Sequence, residues 1–249
     1  MQANVGKGYK GRGMEGRIAH WYARNTARDM PDFVSLAQRV TATLPAGTRI
    51  LEVAPGPGYL SIEIARRGAF QVIGLDISNT FVEIAARNAR EANVNIDFRQ
   101  GNASAMPFPE NTFDLILCRA AFKNFSQPVA AMNEMHRVLK PGGQALIVDL
   151  RSDASMDDIN AYIKQSNLGW ANAVIYKVTF RYLLLPRAYS RQQFVGMASK
   201  SAFAGASINA SAIAFEVTLR KGGSGLPSGW KPEPRAANLG RVEPWSGEA

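Results

Sequence analysis

Apolar and polar positions follow two alternating periods between residue 48 and about residue 165. Short apolar runs typical of buried strands lie at 49–54, 71–76, 95–99, 113–118 and 143–150. Segments with apolar residues at helical spacing lie between them, at 58–67, 79–92 and 127–139. Strands and helices that alternate in this way predict a mainly parallel sheet with helices on both of its faces.

Two further helices are predicted before the first strand, at 14–29 and 32–43. The Asp-Met-Pro sequence at 29–31 separates them, because proline is accepted in the first turn of a helix but not in its interior. Residues 1–13 are rich in glycine and basic residues, and we expect them to be mobile.

The chain continues after the fifth strand with a predicted helix at 155–165. Ser190 is placed to cap another helix, with Gln193 as its capping-box partner. Two apolar runs at 205–210 and 212–220 predict a final pair of strands.

The most informative stretch, 50–61, reads Ile-Leu-Glu-Val-Ala-Pro-Gly-Pro-Gly-Tyr-Leu-Ser. It predicts a strand that ends near Glu52, a tight turn containing Gly56 and Gly58, and then a helix. Glycine has no Cβ, so a ligand can approach the backbone closely at such a turn. Asp76 ends the next apolar run, where an acidic residue is placed to bind ribose hydroxyls. The spacing therefore predicts a cofactor that contains a nucleoside.

The turn differs from the dinucleotide fingerprint, since Ser61 occupies the position of its third glycine. Glu52 stands four residues before Gly56, where a carboxylate would repel a pyrophosphate but suit an ammonium and a sulfonium group. This pattern resembles motif I of the class I S-adenosylmethionine-dependent methyltransferases. The familiar motif has three alternating glycines, and here Ala54 replaces the first of them.

The resemblance extends over roughly residues 48–150. The Gly-Asn-Ala sequence at 101–103 stands where the family often has Gly-Asp-Ala, whose acid lies near the adenine amino group. Asn102 can still accept a hydrogen bond through its amide oxygen. The segments at 113–118 and 134–143 are similar to the fourth strand of the family and to the helix and turn before the fifth.

The resemblance implies S-adenosyl-L-methionine as cofactor. It implies a Rossmann-like, doubly wound α/β fold with a seven-stranded, mainly parallel sheet, helices on both faces and an antiparallel C-terminal strand. The cofactor-binding residues expected from it are Glu52, Ala54, Gly56, Gly58, Asp76, Ile77, Asn102, Ala103, Arg119 and Tyr22.

The stretch at 119–125 corresponds to the family's segment that lines the cofactor and faces the methyl acceptor. It is similar to the quinone-biosynthesis C-methyltransferases, which implies cofactor or substrate contacts for Arg119, Phe122 and Asn124. The Asn/Asp-Pro-Pro-Tyr signature of amino-group methyltransferases does not occur there. This argues against methylation of adenine N6 or of a glutamine amide.

The sequence identifies no catalytic base, and His20 and Arg119 are the catalytic candidates that it offers. His136 and Cys118 are expected to be structural. Asp149, at the end of the fifth strand, could contact an acceptor or a metal. No neighbouring set of acidic ligands accompanies it, so we expect no metal site.

The formal net charge of +9 raises the question of a nucleic-acid partner. Residues 1–30 hold six Lys and Arg against two acids, whereas residues 31–219 hold eighteen against fifteen. The excess thus lies largely at the ends of the chain. No apolar run is long enough to span a membrane, and the single cysteine and the polar N-terminus favour a cytoplasmic protein.

We therefore expect an N-terminal arm with capping helices at 1–45, a methyltransferase domain at 46–221 with a lid-like insertion at about 155–190, and a flexible tail at 222–249. The expected reaction is methyl transfer from S-adenosylmethionine to a small, partly hydrophobic acceptor by in-line displacement. The alternatives are an RNA or DNA methyltransferase that uses the basic arm, and a non-catalytic cofactor-binding protein. The sequence leaves the oligomeric state open.

Overall fold

A computed structural model of the chain describes residues 8–10, 13–165, 182 and 184–223. Its strands are β1 Arg49–Val53, β2 Gln71–Asp76, β3 Asp97–Gln100, β4 Phe113–Arg119, β5 Leu139–Leu150, β6 Ser207–Ala210 and β7 Ala214–Arg220. Its α-helices are α1 Gly16–Thr26, α2 Met30–Thr41, α3 Tyr59–Ala65, α4 Asn79–Glu91, α5 Pro128–Val138, α6 Met156–Gln165 and α7 Arg191–Ser199.

The seven strands form one sheet in the order β3-β2-β1-β4-β5-β7-β6. β1 pairs in parallel with β2 and with β4, β2 with β3, and β4 with β5. β7 runs antiparallel to both β5 and β6. The predicted seven-stranded, mainly parallel sheet with an antiparallel C-terminal end is therefore confirmed. The strand order reverses between β1 and β4, and ligands of such sheets bind at the carboxyl ends beside that point.

Successive residues of the central strands face opposite sides of the sheet, as the two-residue period of a strand requires. In β4, Leu115 and Leu117 join the core on the side of α2, α3 and α6, whereas Ile116 and Cys118 join the core on the side of α5 and α7. Both faces are thus buried, which explains why the strands read as continuous apolar runs.

The two N-terminal helices pack against the sheet domain rather than standing apart from it. Ala19 and Ala23 of α1 are buried against Phe81 and Ile84 of α4. A single 3-10 turn, Ala27–Asp29, joins α1 to α2, slightly before the break that the sequence predicts at 29–31. This arrangement places one side of α1 at the carboxyl ends of the strands.

The segment after β5 contains the predicted helix α6 and the predicted cap of α7. Ser190 caps α7 in a capping box with Gln193, as the sequence predicts. α6 agrees with the helix predicted at 155–165, and its Ile159, Tyr162 and Ile163 are buried in the core. Residues 166–181, which carry most of the expected aromatic lid, lie outside the described residues. No helix in the described ranges is long and apolar enough to cross a membrane.

Candidate functional site

A cavity of about 310 Å³ lies at the carboxyl ends of β1, β2 and β4, beneath α1 and the start of α2. It contains nine of the ten residues that the family resemblance indicates for cofactor contact. These are Tyr22, Glu52, Ala54, Gly56, Asp76, Ile77, Asn102, Ala103 and Arg119. Residues from five separate segments of the chain thus converge on one site.

The turn after β1 brings bare backbone to the cavity at Gly56. Gly56 has φ +54°, and the nearest atom to a Cβ built there is a ring carbon of Tyr22 at 3.9 Å, so the space in front of it is open. Ala54 also adopts a left-handed conformation, with φ +57°. This explains why glycine is usual at that position.

Gly58 differs from the expectation of direct cofactor contact, because it does not line the cavity. It has φ +81°, and a Cβ there would lie 2.9 Å from the Cβ of Ala85 and 2.9 Å from the ring of Phe98. Glycine is required at this position for the turn and for close packing of α3 against α4 and β3.

Glu52, at the end of β1, is a buried acid that accepts hydrogen bonds from Ser61. The Ser61 hydroxyl donates a hydrogen bond to its Oε2. Burial raises the pKa of the Glu52 carboxyl to about 7, against the opposing effects of the Ser61 hydrogen bond and of the nearby Arg119 guanidinium. The carboxyl is therefore poised to ionise when a cation enters the cavity.

Asp76, at the end of β2, is held rigidly in place by backbone donors. Its Oδ2 accepts from the Gly56 N–H at 3.0 Å, and its Oδ1 accepts from the Ser78 N–H at 2.9 Å. Burial raises the pKa of this carboxyl to about 6, although these hydrogen bonds oppose the rise. The carboxylate joins the glycine turn to the next strand and can accept further hydrogen bonds from a ligand.

The segment after β3 forms the adjoining wall of the cavity. The side-chain oxygen of Asn102 accepts from the Ser104 N–H at 2.9 Å, which fixes the orientation of the amide. An amide oxygen has a second lone pair, so the geometry still allows a ligand to donate to it. Ile77 and Ala103 add apolar surface to this end of the cavity.

Aromatic and cationic side chains also line the cavity, and we call Trp21, Tyr22, Phe33 and Arg119 its aromatic half. The Arg119 guanidinium lies over the Phe33 ring, 4.2 Å from its centroid. The Tyr22 ring packs edge-on against Phe81 at 5.7 Å between centroids. Trp21 also lines this half. The lining thus combines aromatic rings with the two buried carboxylates.

The segment after β4 is held by a buried ion pair. Lys123 Nζ donates to Asp149 Oδ1 at 2.8 Å and to the Ala120 carbonyl at 2.6 Å. The Lys123 N–H donates to the other carboxylate oxygen of Asp149 at 2.8 Å. Asp149 was considered as an acceptor or metal ligand, and the structure instead shows it fixing this loop. Among the described residues no cluster of acids, histidines and cysteines could hold a metal.

Asn124 and Phe122, which both follow β4, lie in different surroundings. Asn124 lines the cavity as expected. Phe122 does not, because its fully buried ring stacks on Phe194 at 5.1 Å between centroids and belongs to the core. The expectation of a ligand contact for Phe122 is therefore corrected.

His20, His136 and Cys118 do not line the cavity. His20 is exposed on α1 and is not among the cavity-lining residues, so the structure gives no support for His20 as a base. His136 packs against Phe203, 5.0 Å between ring centroids. Burial raises the pKa of the Cys118 thiol well above its usual range, which makes it a poor nucleophile.

Several residues that line the cavity are not indicated by any motif in the sequence. Tyr9 comes from the glycine-rich arm, and Leu184 and Arg187 come from the end of the segment expected to be a lid. Asn25 and Thr26 line the cavity from α1. Only the amphipathic pattern of α1 could have indicated the last two, since their neighbours Ala19 and Ala23 are buried.

The family model described as a methyltransferase domain matches residues 50–143 of this chain. The methyltransferase YcgJ of Bacillus subtilis, itself uncharacterized, is 38% identical over 110 residues, which are 44% of this chain and 43% of that protein. The demethylmenaquinone methyltransferase of Deinococcus radiodurans is 32% identical over 108 residues, 43% of this chain and 45% of that protein. Residues 50–143 of this chain are therefore similar to a methyltransferase domain. The match spans about half the length of these curated relatives.

Solved structures of other proteins share the fold of this chain. A SAM-dependent methyltransferase from Aquifex aeolicus superposes with a TM-score of 0.59 at 18% identity, over 80% of this chain and 97% of that one. The [4+2]-cyclase SpnF superposes with a TM-score of 0.57 at 20% identity, over 87% of this chain and 86% of that one. The fold alone therefore does not decide the reaction.

The lining of the cavity suits S-adenosyl-L-methionine, the cofactor that the resemblance implies. Two buried carboxylates, Glu52 and Asp76, lie at the ends of adjacent parallel strands. Open backbone at Gly56 stands between them along the chain. Acidic side chains and unobstructed main chain suit a molecule that carries an ammonium, a sulfonium and ribose hydroxyls.

Proposed function

We propose that this protein transfers the methyl group of S-adenosyl-L-methionine to a small, partly hydrophobic acceptor by direct in-line displacement. The observation that carries the proposal is one cavity lined both by two buried carboxylates, Glu52 and Asp76, which we call its acidic half, and by the aromatic half. When bound, the cofactor supplies a methyl group that is already activated by its sulfonium.

The acidic half would bind the cofactor through three kinds of contact. Asp76 would accept hydrogen bonds from the ribose hydroxyls, and Asn102 would accept from the adenine amino group. Glu52 would favour the cationic methionine end. The raised pKa of Glu52 supports this role, because a buried carboxyl without a cationic ligand favours its proton.

The aromatic half would bind and orient the acceptor. Phe33, Trp21 and Leu150 offer apolar surface, and Arg119 and Asn124 offer hydrogen-bond donors at its edge. Methyl transfer requires mainly that the two reactants be aligned and water excluded. Phenols, quinols and lipid-like intermediates have the shape and polarity that such a cavity accommodates.

No strong general base is required by this proposal. An acceptor that is carbanion-like or already deprotonated needs alignment and charge stabilisation rather than proton removal. Arg119 would stabilise negative charge on such an acceptor. The position of His20 outside the cavity fits a reaction of this kind.

The domain division of the sequence analysis is part of the proposal. The helices of residues 1–45 would serve as a cap on the methyltransferase domain at 46–221. Tyr22 and Phe33 support this assignment, since both lie on these helices and line the cavity.

The direct test is transfer of labelled methyl groups from S-adenosylmethionine into small-molecule fractions of a cell extract, followed by mass spectrometry of the product. We expect label in an apolar or phenolic fraction, and expect Arg119→Met to reduce its formation at least tenfold. Arg66→Met, at an exposed position directly after α3 and outside the cavity, is the matched control. Label confined to RNA or DNA, or no label at all, would contradict the proposal.

A further inference from the structure

Residues 8–10 lie along the loop that follows β4, although the sequence predicts a mobile arm there. The Lys10 N–H donates to the Asn124 carbonyl at 2.7 Å. The Ser126 N–H donates to the Gly8 carbonyl at 3.2 Å. We call residues 8–10 the strap, because both of its ends are hydrogen-bonded to one loop.

Gly8 places the strap directly on the expected cofactor end of the cavity. It is buried and lines the cavity. A Cβ built on Gly8 would lie 2.7 Å from Oδ1 of Asn102 and 2.7 Å from Cδ1 of Ile77. Real Cβ atoms are not found so close to other heavy atoms, so a larger residue at this position must lift the strap or displace both side chains.

Tyr9 is the strap residue whose side chain enters the cavity. Its backbone forms an antiparallel bridge with Phe125. Burial raises the pKa of the Tyr9 phenol, while the charges of Lys123 and Arg187 lower it and that of Asp76 raises it. The phenol is thus close enough to feel charges of both signs, from Asp76 and from Lys123 and Arg187.

Lys10 holds the strap to a second element. Its Nζ donates to the Tyr189 hydroxyl at 2.6 Å and to the Lys123 carbonyl at 3.2 Å. The same ammonium lies 4.5 Å from the centroid of the Tyr189 ring. The strap is thus fastened on both sides of Tyr9.

We propose that the strap is the movable wall of the cofactor cavity, with Tyr9 as the side chain that shields the bound cofactor and Lys10 as the latch. This inference rests on the proposed cofactor site. A wall that covers the site must open when the used cofactor leaves, so the strap controls the rate of cofactor release.

The test uses the full chain and compares Gly8→Val and Lys10→Met with the wild type. The measurements are the affinity for S-adenosylmethionine by calorimetry and the release rate of the radiolabelled compound by displacement. We expect release about threefold to tenfold faster in each variant, the effect of losing one or two hydrogen bonds and their packing. Thermal unfolding of the cofactor-free variants should match the wild type within about 2 °C, since the strap lies outside the core.

Matched controls separate the strap from general effects of substitution. Gly13→Val introduces the same side chain where nothing lies within 4 Å of the new Cβ. Lys200→Met removes an exposed lysine at the end of α7. Both should release the cofactor at the wild-type rate.

Substitutions at Tyr9 test the shielding ring itself. Tyr9→Ala should accelerate release at least as much as Lys10→Met, and Tyr9→Phe should restore most of the slow release. Wild-type release rates in Gly8→Val, Lys10→Met and Tyr9→Ala would overturn the strap proposal alone. A wild-type protein that does not bind S-adenosylmethionine would instead overturn the proposed function.

Discussion

Single residues of the site show how burial sets up its chemistry. Glu52 and Asp76 are acids at strand ends whose pKa values are raised by burial to about 7 and about 6. In each case the hydrogen-bond donors nearby are neutral and do not offset the burial. Such groups destabilise the cofactor-free protein when ionised, and a cationic ligand would relieve that cost.

Glu52→Gln should make the cofactor-free protein more stable at alkaline pH. The folded protein holds the Glu52 proton up to about pH 7, whereas the unfolded chain loses it above about pH 4.5, so stability falls as pH rises through this window. We expect Gln to raise the unfolding free energy on the order of 2 kcal/mol at about pH 8, to leave it unchanged near pH 4.5, and to weaken binding of S-adenosylmethionine. Urea unfolding at the two pH values measures the effect.

Glu63→Gln is the control, for which we expect the free energy of unfolding to change in the opposite direction. The Glu63 carboxylate is paired with Arg66 at 2.9 Å and with Arg67 at 2.7 Å, so its charge is compensated. We expect a loss of about 1 kcal/mol at neutral pH. A Glu52→Gln variant that was equally destabilised would contradict the account of Glu52.

Ala54→Gly should stabilise the protein and preserve the site. Ala54 has φ +57°, a conformation that costs a residue with a Cβ about 1–2 kcal/mol. Part of this gain is offset by the greater freedom of glycine in the unfolded chain, so we expect a net stabilisation of about 0.5–1 kcal/mol in thermal unfolding. Ala92→Gly, where φ is −81°, should instead destabilise. A loss of stability in Ala54→Gly would show that the turn is unstrained.

At the scale of elements, the site depends on connections between strand ends and the segments that follow them. The turn after β1 is joined to β2 through the hydrogen bond from Gly56 to Asp76. The segment after β4 is joined to the end of β5 through Lys123 and Asp149. These hydrogen bonds fix the segments that line the cavity to the ends of the strands.

Lys123→Met should remove this second link and strongly destabilise the folded protein. Lys123 and Asp149 are 7% and 2% exposed, so the variant leaves a buried carboxylate without its counter-ion. We expect a loss of about 3–5 kcal/mol in urea unfolding. The double variant Lys123→Met with Asp149→Asn should recover a large part of it, because neither remaining group is charged. A double variant as unstable as Lys123→Met alone would show that the ion pair is not the cause.

At the scale of the whole molecule, the sheet could be predicted because its signals are local. Each strand is an apolar run and each helix has its own periodicity, so their alternation indicates the fold without knowledge of tertiary contacts. The cofactor side of the cavity could be predicted for the same reason. Glu52, Gly56 and Asp76 lie at strand ends, and parallel strands bring those ends together.

The remainder of the site depends on contacts between residues far apart in the sequence. The strap, residues 8–10, pairs with a loop more than a hundred positions away in the sequence. Nothing in a short glycine-rich segment indicates that pairing. The role of Gly58 in packing against Ala85 and Phe98 is also a tertiary property. A glycine motif indicates where the backbone must turn, but only the three-dimensional arrangement distinguishes contact with a ligand from contact with the core.

The central claim is that the cavity binds S-adenosyl-L-methionine through the acids at the ends of β1 and β2. Calorimetry with the purified protein tests it most directly, with Asp76→Ala as the diagnostic variant and Asp157→Ala, at an exposed position of α6, as its control. We predict binding by the wild type and by Asp157→Ala, and no measurable binding by Asp76→Ala. Unchanged affinity in Asp76→Ala, or a wild type that binds NAD in place of S-adenosylmethionine, would contradict this account.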